Sequence, residues 1–517
     1  MAKYKPYSYA QGQFIPVHFK KQIQKGTFEY SLNYLIDNEL DLSIFDARFC
    51  NDETGAPAYD PRILLKIILF GYSRGITSSR EIARCCEENI IFMALSANSR
   101  PHFTTIADFI SSMDKEIVQL FLQVLLVCDH QKLIGREMFA IDGCKLPSNA
   151  AKEWSGTKAD FKRKAARMEE AIGRMVEIHR RQDNKTLTDR DVEKKEKQYI
   201  AKLKKQSEKI KKWLDDHDDR TGISGKPVKS NITDNESAKM KTSKGVIQGY
   251  VGVTAVDGKN QVIVSAEAFG QGQEHDLLAP MIDKTRDNFA GIGQETDVFK
   301  ETQLTADSGY HSEKNMEMIF TEEIDAYIAD NQFRKRDPRF ADYDRYKERH
   351  RKELGQRSSS EKLFSPKDFI FPEDFSHCIC PAGKRLYRSG SNVTVKNFKA
   401  IKFKGPKSAC LPCRLRSQCL RHPERTEIRQ VAYFTGSSST GKERFSEKMK
   451  RKIDTTTGRA MYGLRLSIGE PPFAHIRSIL RLDRFSLRGK SKVNIQWNLF
   501  CIVHNLKKIH RYGECFA

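Results

Sequence analysis

Apolar positions in the first 115 residues recur at helical spacing. Tyr30-Ser-Leu-Asn-Tyr-Leu-Ile opens one amphipathic segment, and Asp60-Pro61-Arg-Ile-Leu-Leu-Lys-Ile-Ile-Leu-Phe-Gly-Tyr72 opens another. Asp60 suits the cap of that helix and Pro61 its first position. Thr77-Ser-Ser79-Arg-Glu predicts a third start, with a hydroxyl cap and a first-turn glutamate. Phe103-Thr-Thr105-Ile-Ala-Asp-Phe-Ile predicts a fourth helix. Short helices joined by tight turns fit either a helix-turn-helix-like DNA reader or a plain dimerisation domain.

The period then changes. Met138-Phe-Ala-Ile-Asp142-Gly143 is a short apolar run ending in an aspartate and a turn residue. It reads as a buried strand with Asp142 at its C-terminal edge beside a tight turn, although periodicity alone does not exclude a helix. Residues 157–220 are dense in charge. Phe161, Ala165, Met168, Ile172 and Met175 keep helical spacing, and Ile200, Leu203, Ser207, Ile210 and Leu214 resume it after a break at Asn184 and residues 186–189. This predicts an antiparallel helical hairpin projecting from the strand domain. Its charge marks either a solvated face or a DNA or subunit contact.

Residues 245–256 and 261–269 are strand patterns joined by the hairpin turn Asp257-Gly-Lys-Asn. A helix begins at His275, a strand ends at Asp307 in Ala306-Asp307-Ser-Gly309-Tyr310-His311, and another strand leads to Asp330. The order predicts an α/β sheet of mixed direction. Residues 331–430 break the rhythm with a basic, polar run followed by five cysteines.

Composition narrows the class. The 517 residues suffice for several domains, and 89 Lys+Arg against 67 Asp+Glu give a net charge of +22. An excess of this size favours a polyanionic partner, nucleic acid first. No apolar run reaches the roughly 18 residues that a membrane span needs. Met1-Ala-Lys-Tyr-Lys lacks the apolar core of a signal peptide, so the expected compartment is the cytoplasm, with the twelve cysteines reduced.

Three kinds of site chemistry stand out. Asp142 and Asp307, each at a strand end beside glycine, are hard oxygen donors of the type that hold a divalent cation. Asp234, Asp330 and His311 are reserve groups. The set Cys380, Cys410, Cys413 and Cys419 has one close pair and two outlying thiols, which fits a structural zinc site or a cluster of free thiols. His377, Cys378 and His422 are substitute ligands. In the stretch from Tyr462 to Arg477, helical spacing aligns Tyr462, Arg465, Phe473 and Arg477 with Glu470. Pro471 and Pro472 predict that a helix starts or kinks near Glu470. A basic run follows, with Arg481, Arg484, Arg488, Lys490 and Lys492, then Lys507, Lys508 and Arg511. Its interleaved apolar residues predict one face on the sheet and one face toward phosphates.

These motifs together resemble the DDE-type insertion-sequence transposases, in the branch with a C-terminal Tyr-Arg-Glu-Lys signature. The N-terminal part resembles that branch's helical domain through Tyr59-Asp-Pro61, Phe70-Gly-Tyr72, Ser78-Ser-Arg80 and Thr104-Thr-Ile106-Ala-Asp-Phe109. Ile141-Asp142-Gly143 matches the first acidic motif, Ala306-Asp307-Ser-Gly309-Tyr310 the second, and Tyr462, Arg465 and Glu470 the third. Arg477 stands where the signature has lysine, and four residues separate Arg465 from Glu470 where three are usual.

The resemblance implies an RNase H-like mixed-sheet core with an N-terminal helical domain, an inserted charged hairpin and an inserted cysteine-bearing, candidate zinc module. Expected boundaries are 1–115 for the helical domain and 116–156 for the start of the core. The hairpin takes 157–222, the core resumes over 223–330, the cysteine insertion takes 331–430 and the C-terminal core helices 431–517. The implied activity is cut-and-paste transposition. Asp142, Asp307 and Glu470 would bind two Mg²⁺ or Mn²⁺ ions roughly 4 Å apart, with Tyr462, Arg465 and Arg477 on DNA phosphates. Implied partners are terminal inverted repeats, target DNA and a second copy of the chain, in a prokaryotic, nucleoid-associated setting. The rival readings are an inactive DNA-binding derivative and an endonuclease without strand transfer.

Overall fold

Phe139, Ala140 and Ile141 are each fully buried, as befits β1 (Met138–Pro147), an interior strand of the main sheet. The computed structural model describes residues 16–49, 57–182, 190–221, 225, 227–242, 245–340, 363–395, 398–437 and 444–513. They fall into two compact units, Met1–Asp330 with Met449–Ala517, and Asn331–Lys448. The predicted hairpin break at Asn184 and 186–189 lies outside the described residues.

The first unit holds a six-stranded mixed sheet made of β1, β2 (Ala238–Thr242), β3 (Gly245–Asp257), β4 (Ile263–Phe269), β5 (Gln303–Ala306) and β6 (Ala326–Ile328). The order is β6-β5-β1-β3-β2, with β4 also on β3. β1, β5 and β6 run parallel, whereas β3 is antiparallel to β1, β2 and β4. β1 does not turn after Asp142. It continues through Gly143 to Pro147 because β3 pairs with it over that whole length, from Asp257 opposite Phe139 to Gly249 opposite Pro147. Only the parallel partner stops, at Ala306 opposite Ile141. Asp142 is thus mid-strand, at the level where β5 ends.

The predicted N-terminal helices are present as α1 (Phe28–Tyr34), α2 (Pro61–Ser73), α3 (Ser79–Glu88) and α4 (Phe103–Ser111), followed by α5 (Glu116–His130). Asp60 caps α2 by accepting from the Arg62 N–H at 2.8 Å. Ser78 holds the cap position of α3 but makes no side-chain cap bond. The charged hairpin is α6 (Lys158–Gln182) and α7 (Arg190–Asp216). Phe161 and Ala165 bury against Ile210 and Trp213, and Ser207 reaches Glu169 at 3.2 Å. Those pairings require antiparallel arms. α8 (Leu278–Gly291) packs on β4, where the Thr285 and Ser265 hydroxyls meet at 2.7 Å and Asn288 donates to Val264 O at 2.8 Å.

α9 (Thr456–Ala474) and α10 (Lys490–Tyr512) complete this unit. α9 does not start at Glu470. It runs through Pro471 and Pro472 into a π turn, His475–Ile479. Proline at 471 removes the N–H that Ser467 would accept. The Gln261 side chain replaces it, donating to Ser467 O at 2.9 Å. α10 is buried nearly all round, with Val493, Ile495, Trp497, Leu499, Phe500, Ile502 and Val503 in the core. It lies between β4 and the N-terminal helices, with Tyr72 packed on Phe500 at 4.9 Å. The expected phosphate face is therefore not open along the middle of this helix, although Lys490, Lys492 and Arg511 at its ends are exposed, and burial holds Lys507 and Lys508 below the usual lysine pKa. Asn494 and Asn505 exchange hydrogen bonds with the backbone of Ala268 and Ile263. They cover the edge of β4, where an open row of backbone groups would invite pairing with another chain.

The second unit is built on an antiparallel sheet in the order β7 (His377–Ile379), β8 (Arg385–Val395), β9 (Phe398–Lys404) and β10 (Gln430–Ser437). Leu386, Phe403 and Val431 form its core with Phe369 and Cys378. Among the described residues no helix is long and apolar enough to cross a membrane.

Candidate active site

The parallel register of β1 and β5 sets Asp142 and Asp307 side by side. Ile141 stands opposite Ala306, and the next residue on each strand is the aspartate. Asp307 leaves its strand and heads a 3-10 turn, Ser308–Tyr310. Glu470 arrives from α9, which crosses β1 and β5 closely. A Cβ on Gly469 would lie 3.5 Å from Asp142 Cβ. Three acidic groups far apart in sequence are thereby gathered at one edge of the sheet.

One guanidinium joins them. Arg465 Nη1 donates to Asp142 Oδ2 at 2.8 Å. Arg465 Nη2 lies 3.7 Å from Asp307 Oδ1 and 4.0 Å from Glu470 Oε1. The arginine side chain is 9% exposed, and the carboxylates grade outward from Asp142 at 15% through Asp307 at 39% to Glu470 at 61%. Burial opposes the charge on Arg465, yet the surrounding acidic groups raise its pKa further. At Asp142 burial wins. It pushes the carboxyl up to about 6, against the pull of Arg465 and the Gly143 N–H, which donates to Oδ1 at 2.8 Å.

An open cleft of about 620 Å³ lies over this edge, lined by Asp142, Cys144, Glu470, Phe473, Arg477 and Arg481. The predicted stripe thus holds for Glu470, Phe473 and Arg477. The Tyr462 ring flanks Arg465, its centroid 5.9 Å from the guanidinium carbon. Arg484 and Arg488 bind instead to the loop after β1, through Ser148 O, Asn149 Oδ1 and Asn149 O. Two of the reserve groups have partners of their own. Asp234 is buried and accepts from Tyr250 and the Gly489 N–H, and His311 lies against Ile328 O at 3.2 Å. Sequence reasoning missed Glu274, which abuts Gly309; no periodic pattern marks it.

In the second unit Cys380, Cys410, Cys413 and Cys419 line one small cavity of about 30 Å³. Arg416 fixes the segment that carries Cys410, Cys413 and Cys419 by donating to Cys410 O, Pro423 O, Thr426 O and Glu427 O. Arg429 donates to Cys419 O at 2.9 Å. Burial raises the Cys419 thiol pKa, and the other three cysteines add to it. The substitutes are placed otherwise. Cys378 is in the sheet core, His377 bonds Ser376 and Arg385, and His422 is exposed beside Glu424.

Among the described residues no group of three or more His, Cys, Asp or Glu is arranged to hold a metal ion as it stands. In the acidic cluster the Arg465 guanidinium lies among the carboxylates, a cation already in place. The donor chemistry fits in both places, hard oxygens in one and soft thiols in the other.

Residues 379–510 match the family model described as a transposase DDE domain, a span that includes Glu470 but neither aspartate. Residues 17–112 match the model described as a transposase domain (DUF772). No curated protein and no solved structure matches the chain. A transposase model on its N-terminal helices and a transposase DDE model on its C-terminal part together support a DDE-type insertion-sequence transposase.

Proposed function

We propose that the chain cleaves DNA at transposon ends and joins those ends to target DNA, using Asp142, Asp307 and Glu470 on an RNase H-like sheet. The observation that carries this reading is the convergence of the three carboxylates on the Arg465 guanidinium. Groups that gather around one buried cation have the charge and the hard oxygen donors to hold divalent ones. Asp142, Asp307 and Glu470 would bind two Mg²⁺ or Mn²⁺ ions, which supply activation of the attacking oxygen and stabilisation of the leaving oxygen.

The rest of the site orients DNA. Arg477 and Arg481 line the cleft beside Glu470 and would hold the phosphates flanking the cut. Arg465 and Tyr462 would join them once the carboxylates have other partners. Positioning and electrostatics carry the reaction, with no covalent enzyme intermediate. The N-terminal helices would read DNA or pair two copies, since two ends are joined in one event. The four cysteines would hold one structural Zn²⁺.

The test uses DNA carrying the element's own ends, with Mg²⁺ and the full chain. Cut and joined products support transposition. Cut products that are never joined favour an endonuclease. Binding without cutting, in Mg²⁺ and in Mn²⁺, favours an inactive derivative.

A further inference from the structure

A fourth acidic side chain borders the cluster. Glu274 precedes the 3-10 turn His275–Leu277 that leads into α8. Its carboxylate reaches the Asp307 motif so closely that a Cβ on Gly309 would lie 2.5 Å from Glu274 Oε2. A side chain at 309 would displace it. The other oxygen, Oε1, is 3.2 Å from Lys145 Nζ on β1. The two segments share one donor as well. Asn315 Nδ2 donates to His275 O at 2.7 Å and to Tyr310 O at 2.8 Å. Glu274 is therefore held against the turn that follows Asp307 by backbone anchorage and not only by its lysine.

A second observation points to a ligand at this spot. Tyr310 is fully buried, and its hydroxyl has no hydrogen-bond partner among the described residues. That oxygen lies 3.4 Å from where a Cβ on Gly143 would be, beside Asp142 on the central strand. Leaving a buried hydroxyl unpaired is costly, on the order of 1–3 kcal/mol. Asp142, Glu274 and Asp307 are the charged groups whose fields reach it most strongly. A hydrated cation would satisfy both groups, since its waters donate to a carboxylate and can also donate to a phenol oxygen.

We propose that Glu274 is a fourth carboxylate of the cation site. It acts as a positioning residue that, with the Tyr310 hydroxyl, orients the water shell of a divalent ion held by Asp142 and Asp307, and Lys145 is its counter-ion. This rests on the reading of Asp142 and Asp307 as cation ligands. An ordinary structural ion pair would behave differently, because Glu274 and Lys145 would then matter equally.

The test is Mn²⁺ binding to the full chain by titration calorimetry, without DNA. Glu274→Gln should weaken binding about tenfold, the scale seen when groups behind metal ligands are removed. Glu274→Asp should recover part of that, and Lys145→Met should bind Mn²⁺ as well as the natural chain or better. Equal losses in Glu274→Gln and Lys145→Met would overturn the proposal in favour of a structural pair. Unchanged binding in Glu274→Gln, with loss in Asp142→Asn, would overturn it and leave the three-carboxylate reading standing. Unchanged binding in Asp142→Asn would overturn both.

Discussion

Arg465 donates a 2.8 Å hydrogen bond to Asp142 from a side chain that is 9% exposed. The pair is buried, and breaking such a pair by removing one partner typically costs 3–5 kcal/mol. Arg465→Gln should therefore lower the stability of the metal-free chain by about 3 kcal/mol, read as a lower melting temperature. It should also make Mg²⁺ more stabilising than it is for the natural chain, because a cation no longer competes with the guanidinium for the three carboxylates. A variant that melts normally and gains nothing extra from Mg²⁺ would show that Arg465 does not neutralise the cluster.

Acid should weaken the fold through a histidine pair. His504 is fully buried, donates to Gln261 O at 2.9 Å and meets His475 Nδ1 to Nδ1 at 2.9 Å. His504 gives its Nε2–H to Gln261 O, so its Nδ1 accepts from His475 and its ring is neutral. Burial lowers the His475 pKa to about 4 and the His504 pKa to about 3. Below pH 6.5 the unfolded chain takes up protons that the folded chain does not, so stability falls as pH falls. At pH 5 the loss from His504 is about 2 kcal/mol relative to pH 7. His504→Gln should flatten the change in melting temperature between pH 7 and pH 5. An unchanged slope would assign the acid sensitivity to other groups.

The cysteine cavity leads to a metal prediction. The purified chain should carry about one zinc, and a strong chelator should unfold the Asn331–Lys448 unit first, because binding energy at such a site is folding energy. Elemental analysis and thiol titration check this. Four freely reactive thiols at Cys380, Cys410, Cys413 and Cys419, with no zinc, would contradict it.

The two strands that carry the aspartates were legible in the sequence because short apolar runs are local signals of buried strands, although the turn expected at Gly143 is absent. The runs into Asp142 and Asp307 gave two strands, and their parallel register then places the two carboxylates together. The third acid was legible through its neighbours Tyr462, Arg465 and Phe473. What local signals do not carry is where partners stop. β1 runs past Asp142 because β3 supplies hydrogen bonds to Pro147. α9 runs past Pro471 because Gln261, some 200 residues away in sequence, donates to Ser467 O. The same limit hid Glu274, whose role depends on Gly309 being its neighbour in space. The middle of the C-terminal helix is covered on both sides because its outer face meets the N-terminal helices, a contact no periodicity reveals.

The most direct test of the central claim is DNA cleavage by Asp142→Asn, Asp307→Asn and Glu470→Gln, each beside the natural chain in Mg²⁺. All three should lose detectable cleavage while their DNA affinity stays within about twofold, since phosphate contacts dominate that affinity. Near-normal cleavage by any one of them would remove that carboxylate from the site and contradict the account.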